Sequence, residues 1–153
     1  MQKGSLESFK VGNINSIYYI PEYVSATYEE YLLEQIRSYK AKWTQVSGRR
    51  LQNHGGIVHD KGFLVQQRLP DCLDFLARQL QDRTGIFGDK APNHVLVNSY
   101  QPGQGIMAHE DGPLYHPGVC ILSLGAPAVI RFTRKRRREG DDEGSGRGTG
   151  AGA

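Results

Sequence analysis

Two stretches of the sequence repeat apolar residues at helical intervals. Between Ser25 and Lys40, Tyr28, Leu32, Ile36 and Tyr39 form one stripe, and Glu29, Glu30, Glu34 and Arg37 fall outside it. Thr27 and Glu30 stand at the spacing of a capping box. Pro70 to Arg83 is the second helical stretch. Leu69, Leu73, Leu76 and Leu80 face one way, Pro70 suits a helix start and Gly85 a helix end.

The remaining apolar positions follow strand patterns. Ser16 to Ile20 is β-branched and aromatic and stops at Pro21. Trp43 to Val46 and His94 to Tyr100 read as strands. A short strand is expected around His109 to Asp111, and others over Val119 to Leu124 and Ala128 to Phe132. Ser47 to Gly62 has little periodicity and reads as a polar loop holding Arg49, Arg50, Gln52, Asn53, His54 and His59. Helices therefore come first and closely spaced strands with Gly/Pro turns follow. That order predicts an α+β fold with helices supporting an antiparallel sandwich or barrel.

From Arg134 onward this patterning ceases. Only Ala151 and Ala153 are apolar there, and six glycines fall between Gly140 and Gly152. A segment with nothing to bury cannot offset its ordering entropy, so 134–153 is expected to be a disordered tail. The expected organisation is an extension over 1–16, a domain over 17–133 and the tail over 134–153.

Charge sharpens that boundary. The 153 residues carry a net +3. Acidic and basic groups balance over residues 1–130, so the whole excess lies in 131–153. A basic fold is excluded. The run Arg134 to Arg138 could bind phosphates or act as a nuclear import signal, which keeps open a non-catalytic nucleic-acid-binding role. Apolar runs are too short for a membrane span, and Met1 to Asn13 has no signal-peptide core. Cys72 and Cys120, isolated in apolar contexts, suit a reducing compartment, the cytoplasm or nucleus.

Chemistry concentrates in one region. In His109-Glu110-Asp111, residues i and i+2 of a strand share a face, so an imidazole and a carboxylate could hold adjacent positions on one metal. Asn98 and Tyr100 share a face in the same way. An amide N–H and a phenol O–H both donate hydrogen bonds, which suits a carboxylate-bearing ligand. Each motif taken singly also fits ordinary turn and strand-end residues.

Their order and spacing go further. From Asn93 to Pro113 the chain shows N-x-Y, then P-G-x-G-I, then H-x-D-G-P. Upstream, Lys42 to Asn53 reads KWTQVSGRRLQN, with Gly55-Gly56 following. This combination resembles the AlkB family of iron(II)- and 2-oxoglutarate-dependent dioxygenases, closest to its homologue-six subgroup, over about Ile17 to Phe132.

The resemblance implies the N-terminal part of a double-stranded β-helix, or jelly roll, with supporting helices. It implies that His109 and Asp111 bind Fe(II) and that Asn98 and Tyr100 hold 2-oxoglutarate. The implied reaction uses O2 for oxidative demethylation or hydroxylation, with nucleic acid as substrate. The protein would supply ligands and orientation while the cofactor supplies the reactivity. Arg49, Arg50, Gln52 and Asn53 would lie on the substrate side, where Arg49 and Arg50 could meet phosphates. The subgroup carries a Trp where His54 stands here.

The family's third iron ligand, a later His, and a later Arg for 2-oxoglutarate have no counterparts after Phe132. The chain is therefore expected to represent an N-terminal fragment or isoform with weak or no turnover. Exposed sheet edges would favour a partner or aggregation.

Overall fold

The first helix, α1 (Ala26–Ser38), forms where the apolar stripe predicts it. Its N-cap is Ser25, whose Oγ accepts a hydrogen bond from the Tyr28 amide at 3.2 Å. That cap lies two residues before the expected capping box at Thr27, because Ser25 already has the extended backbone that a cap requires. The computed structural model describes residues 6–58, 64–65 and 67–133.

The second helix, α2 (Asp71–Thr84), begins after Pro70 and ends on Gly85, whose φ of 65° gives the left-handed stop. Leu32 and Ile36 of α1 are buried, as are Leu69, Cys72, Leu73, Leu76 and Ala77 at and within α2. Tyr28 and Phe75 stack edge to face at 6.4 Å, and the Tyr39 hydroxyl lies 3.7 Å from the Cys72 sulfur.

Against the helices stands a three-stranded antiparallel sheet of β1 (Thr44–Val46), β2 (Arg49–Gly55) and β5 (His94–Ser99), with β2 in the centre. Register pairs Val46 with Arg49 across the β1–β2 hairpin, and Leu51 with Asn98 across β2–β5. A separate pair joins β3 (Ile57–Val58) to β4 (Leu64–Val65).

The β2 strand replaces the loop expected over Ser47 to Gly62. Hydropathy hides it because its buried face is polar. Gln52 and His54 point inward, and Gln52 Nε2 donates to the carbonyls of Ile36 at 2.9 Å and Tyr39 at 3.3 Å. The carbonyls at the end of α1 already accept the Tyr39 and Lys42 amides, and the buried Gln52 amide adds a second donor to each, which an apolar residue could not.

Ser16 to Ile20 contributes only an isolated bridge, Lys10 to Tyr18, rather than a strand. The expected strands at His109 to Asp111, Val119 to Leu124 and Ala128 to Phe132 form no ladder among the described residues. Burial nonetheless alternates from Gly118 to Gly125, with Cys120, Leu122 and Leu124 turned inward and Val119 and Ile121 outward. The segment is fixed by the Gly125 amide, which donates to Glu29 of α1 at 2.6 Å. It has the side-chain period of a strand without the neighbour that would complete one. The expected tail at 134–153 lies outside the described residues, as does His59.

Candidate functional site

The site is built on one face of β5. Side chains alternate along a strand, so His94, Leu96 and Asn98 share a face, which Arg49, Leu51 and Asn53 of β2 continue. Two cross-strand hydrogen bonds record this. Arg49 Nε donates to Asn98 Oδ1 at 2.7 Å, and His94 Nε2 bonds Asn53 Oδ1 at 2.8 Å. The carboxamide oxygen can only accept, so His94 carries its proton on Nε2.

Tyr100 follows directly after β5, on the Asn98 side by alternation, and is 40% exposed. Gly103, with φ of 80°, turns the chain after it. The opposing turn of the β1–β2 hairpin rests on this loop. A Cβ at Gly48 would come within 3.0 Å of the Gly105 carbonyl, so only glycine allows the two turns to approach so closely.

Beyond the loop, His109 Nδ1 bonds the Met107 carbonyl at 2.8 Å. A carbonyl accepts only, so Nδ1 carries a proton, and in the neutral ring Nε2 keeps a lone pair for another partner. Nε2 lies 3.9 Å from Asp111 Oδ1, and both side chains are about half exposed. An imidazole held by a backbone carbonyl, with its other nitrogen beside a carboxylate, is the arrangement of a metal-binding histidine. The two residues therefore fit as a two-donor site for a divalent ion. Among the described residues no cluster of three His, Cys, Asp or Glu side chains forms a larger one.

The Asp111 segment folds back to the start of β5. Tyr115 lies against the His94 ring at 5.5 Å. Burial lowers the His94 pKa, and the Asp111 carboxylate opposes that shift. His94 thus joins the candidate site although sequence reading did not select it. Its even spacing from Asn98 was the available signal. His116, in contrast, turns to Phe87 at 5.4 Å and accepts a hydrogen bond from the Gly118 amide.

The four residues expected on the substrate side divide between the faces of β2. Arg49 and Asn53 lie with Asn98, as described. Arg50 and Gln52 lie on the other face. Gln52 is fully buried and satisfies the end of α1, so it is closed to a substrate. Arg50 is exposed, stacked 4.5 Å over Trp43, and reaches Ser99 Oγ at 3.4 Å. It borders an open polar hollow of about 250 Å³ with Gln45, Ser99, Gln101 and Gln104.

Comparison with known proteins identifies the family. The family model of the 2OG-Fe(II) oxygenase superfamily matches residues 64–145, more than half of the sequence and the whole H-x-D region. The chain belongs to that superfamily, whose cofactors are Fe(II) and 2-oxoglutarate. Within it the chain is of the AlkB type. It is 50% identical over 120 residues to the "Probable RNA/DNA demethylase ALKBH6" of Danio rerio, covering 78% of this chain and 50% of that protein. It is 31% identical over 129 residues to an uncharacterised protein of Acanthamoeba polyphaga mimivirus, covering 81% of this chain and 60% of that one. It is also 31% identical over 131 residues to the "tRNA (carboxymethyluridine(34)-5-O)-methyltransferase ALKBH8" of Macaca fascicularis, covering 74% of this chain and 18% of that protein. The chain spans about half the length of the first of these relatives.

Proposed function

We propose that this chain carries metal- and co-substrate-binding residues of an AlkB-type dioxygenase that oxidatively demethylates or hydroxylates nucleic acid. The observation that carries this reading is the His109–Asp111 pair, with Nδ1 anchored on Met107 and Nε2 facing the carboxylate. A demethylase name on the Danio rerio relative supports nucleic acid as the substrate class.

In this reading His109 Nε2 and Asp111 hold Fe(II). Asn98 and Tyr100 donate hydrogen bonds to a carboxylate of 2-oxoglutarate. Bound iron would supply the centre at which O2 oxidises 2-oxoglutarate to succinate and CO2 and a substrate C–H bond to an alcohol. The anchored Nδ1–H fixes the tautomer, so the imidazole needs no proton shift to act as a ligand. Arg50 on Trp43 supplies a positive charge at the hairpin end of the sheet for a phosphate.

The finer architecture we infer is a jelly roll, supported by the strand-like alternation from Gly118 to Gly125. With two protein donors among the described residues, the 153-residue chain alone is expected to hold metal weakly and turn over little.

Titration with Mn(II) in the presence of 2-oxoglutarate, followed by calorimetry, tests the site. The expected result is metal binding strengthened by 2-oxoglutarate and reduced at least about tenfold in His109→Ala. Equal affinity in the wild type and His109→Ala would overturn the assignment.

A further inference from the structure

The Arg49–Asn98 contact gives the carboxylate site a residue that the motifs do not include. A guanidinium has donors and no acceptor, and a carboxamide has one end of each kind. With Arg49 Nε donating to Asn98 Oδ1 at 2.7 Å, the amide has only one allowed orientation. Its oxygen faces Arg49, and its two N–H groups are left for another partner. Asn98 alone could rotate and present oxygen to a carboxylate, which would repel it.

Arg49 is itself well fixed. It is the first residue of β2, paired with Val46 across the hairpin, and the preceding Gly48 rests on the loop that follows Tyr100. The contact is partly buried, where a charge-assisted hydrogen bond is stronger than in water. Its positive charge also polarises the amide toward donating and favours an anion nearby.

We propose that Arg49 is a positioning residue for 2-oxoglutarate: it locks the Asn98 carboxamide with its N–H groups toward the co-substrate carboxylate. This rests on the reading of Asn98 and Tyr100 as the co-substrate's hydrogen-bond donors. It places Arg49 on the co-substrate side of the site, apart from Arg50.

The test is a double-mutant cycle on the full 153-residue chain, reading 2-oxoglutarate affinity by calorimetry with Mn(II) present. Arg49→Ala should weaken 2-oxoglutarate about tenfold or more. It should leave Mn(II) affinity measured without 2-oxoglutarate unchanged, which a general structural defect would not. In an Asn98→Ala background, Arg49→Ala should have no further effect, because Arg49 acts through that amide. Arg49→Lys keeps the charge and should recover only part of the loss, since an ammonium lacks the fixed planar fork. In the unliganded protein the Arg49 Nε–H resonance should shift on Asn98→Ala, a readout that needs no ligand.

An unchanged 2-oxoglutarate affinity in Arg49→Ala, with Asn98→Ala impaired, would overturn the role of Arg49 and leave the co-substrate site standing. Equal losses from Arg49→Ala in both backgrounds would overturn it as well. A wild type that binds no 2-oxoglutarate would overturn both readings.

Discussion

Gln52 accepts a hydrogen bond from His54 at 2.9 Å on the buried face of β2, through its side-chain oxygen and the His54 Nε2. The same Gln52 amide nitrogen donates to the Ile36 and Tyr39 carbonyls, so one side chain ties the sheet to the end of α1. Removing it leaves the His54 imidazole N–H without its partner and takes one of two donors from each of the Ile36 and Tyr39 carbonyls, which keep the Tyr39 and Lys42 amides. Gln52→Ala should therefore cost about 2–4 kcal/mol of unfolding free energy. Urea denaturation would measure this, and a loss below about 0.5 kcal/mol would contradict the assigned linkage.

His54 sets the response to acid. Its pKa is lowered from the usual 6.5, first by burial and then by Lys42. A base with a depressed folded pKa is neutral in the fold and takes up its proton more readily when unfolded. Stability is then full above pH 6.5 and falls as pH drops through 6.5 toward the lower folded value. The thermal midpoint should decrease from pH 7.5 to pH 5.5. His54→Gln, which cannot take up a proton, should flatten part of that dependence, with His94 accounting for a further part because burial lowers its pKa too.

Gly55 ends β2 with φ of 81° and lies against the Asn93 carbonyl, where a Cβ would overlap backbone atoms. The neighbouring Gly56 amide donates to that same carbonyl at 2.7 Å. Neither backbone can retreat without breaking the β2–β5 ladder, so Gly55→Ala should cost more than the ~1 kcal/mol usual for a left-handed position. Loss of amide-exchange protection across His94 to Ser99 would report it.

Arg50 provides a check on the nucleic-acid reading. It is exposed, backed by Trp43 at 4.5 Å, and borders the polar hollow. Arg50→Ala should weaken binding of a single-stranded oligonucleotide uniformly across sequences and reduce the salt slope by about 1. Trp43→Ala should give a smaller loss, since it removes the support and leaves the charge. An unchanged salt slope in Arg50→Ala would remove this arginine from the interface.

Leu32 is wholly buried, and Leu32→Ala should cost about 2–5 kcal/mol. Chemical denaturation monitored by far-UV circular dichroism would show the change.

Both helices were legible from the sequence because their evidence is local. Leu32 and Ile36 recur at helical spacing, and Pro70 and Gly85 mark the ends of α2 through their own backbone preferences. The motif spacing from Asn98 to Asp111 was equally legible, and with it the family. The β2 strand was not, because Gln52 and His54 are polar and their burial is matched only by hydrogen bonds to each other and to the end of α1. Of the strands expected after Tyr100, only Val119 to Leu124 shows alternation, at Cys120, Leu122 and Leu124, whereas His109 to Asp111 and Ala128 to Phe132 are exposed at every position. A strand assignment also requires hydrogen bonds from another segment, which hydropathy does not encode.

The sequence by itself thus determined which residues carry donors and where helices begin and end, since both depend on neighbours within a few positions. Tertiary structure decided how those donors are presented. It divided Arg49 from Arg50 across the two faces of β2, fixed the His109 tautomer through the Met107 carbonyl, and oriented the Asn98 amide through Arg49. Orientation depends on partners as distant as 49 residues along the chain, and only folding brings those partners together.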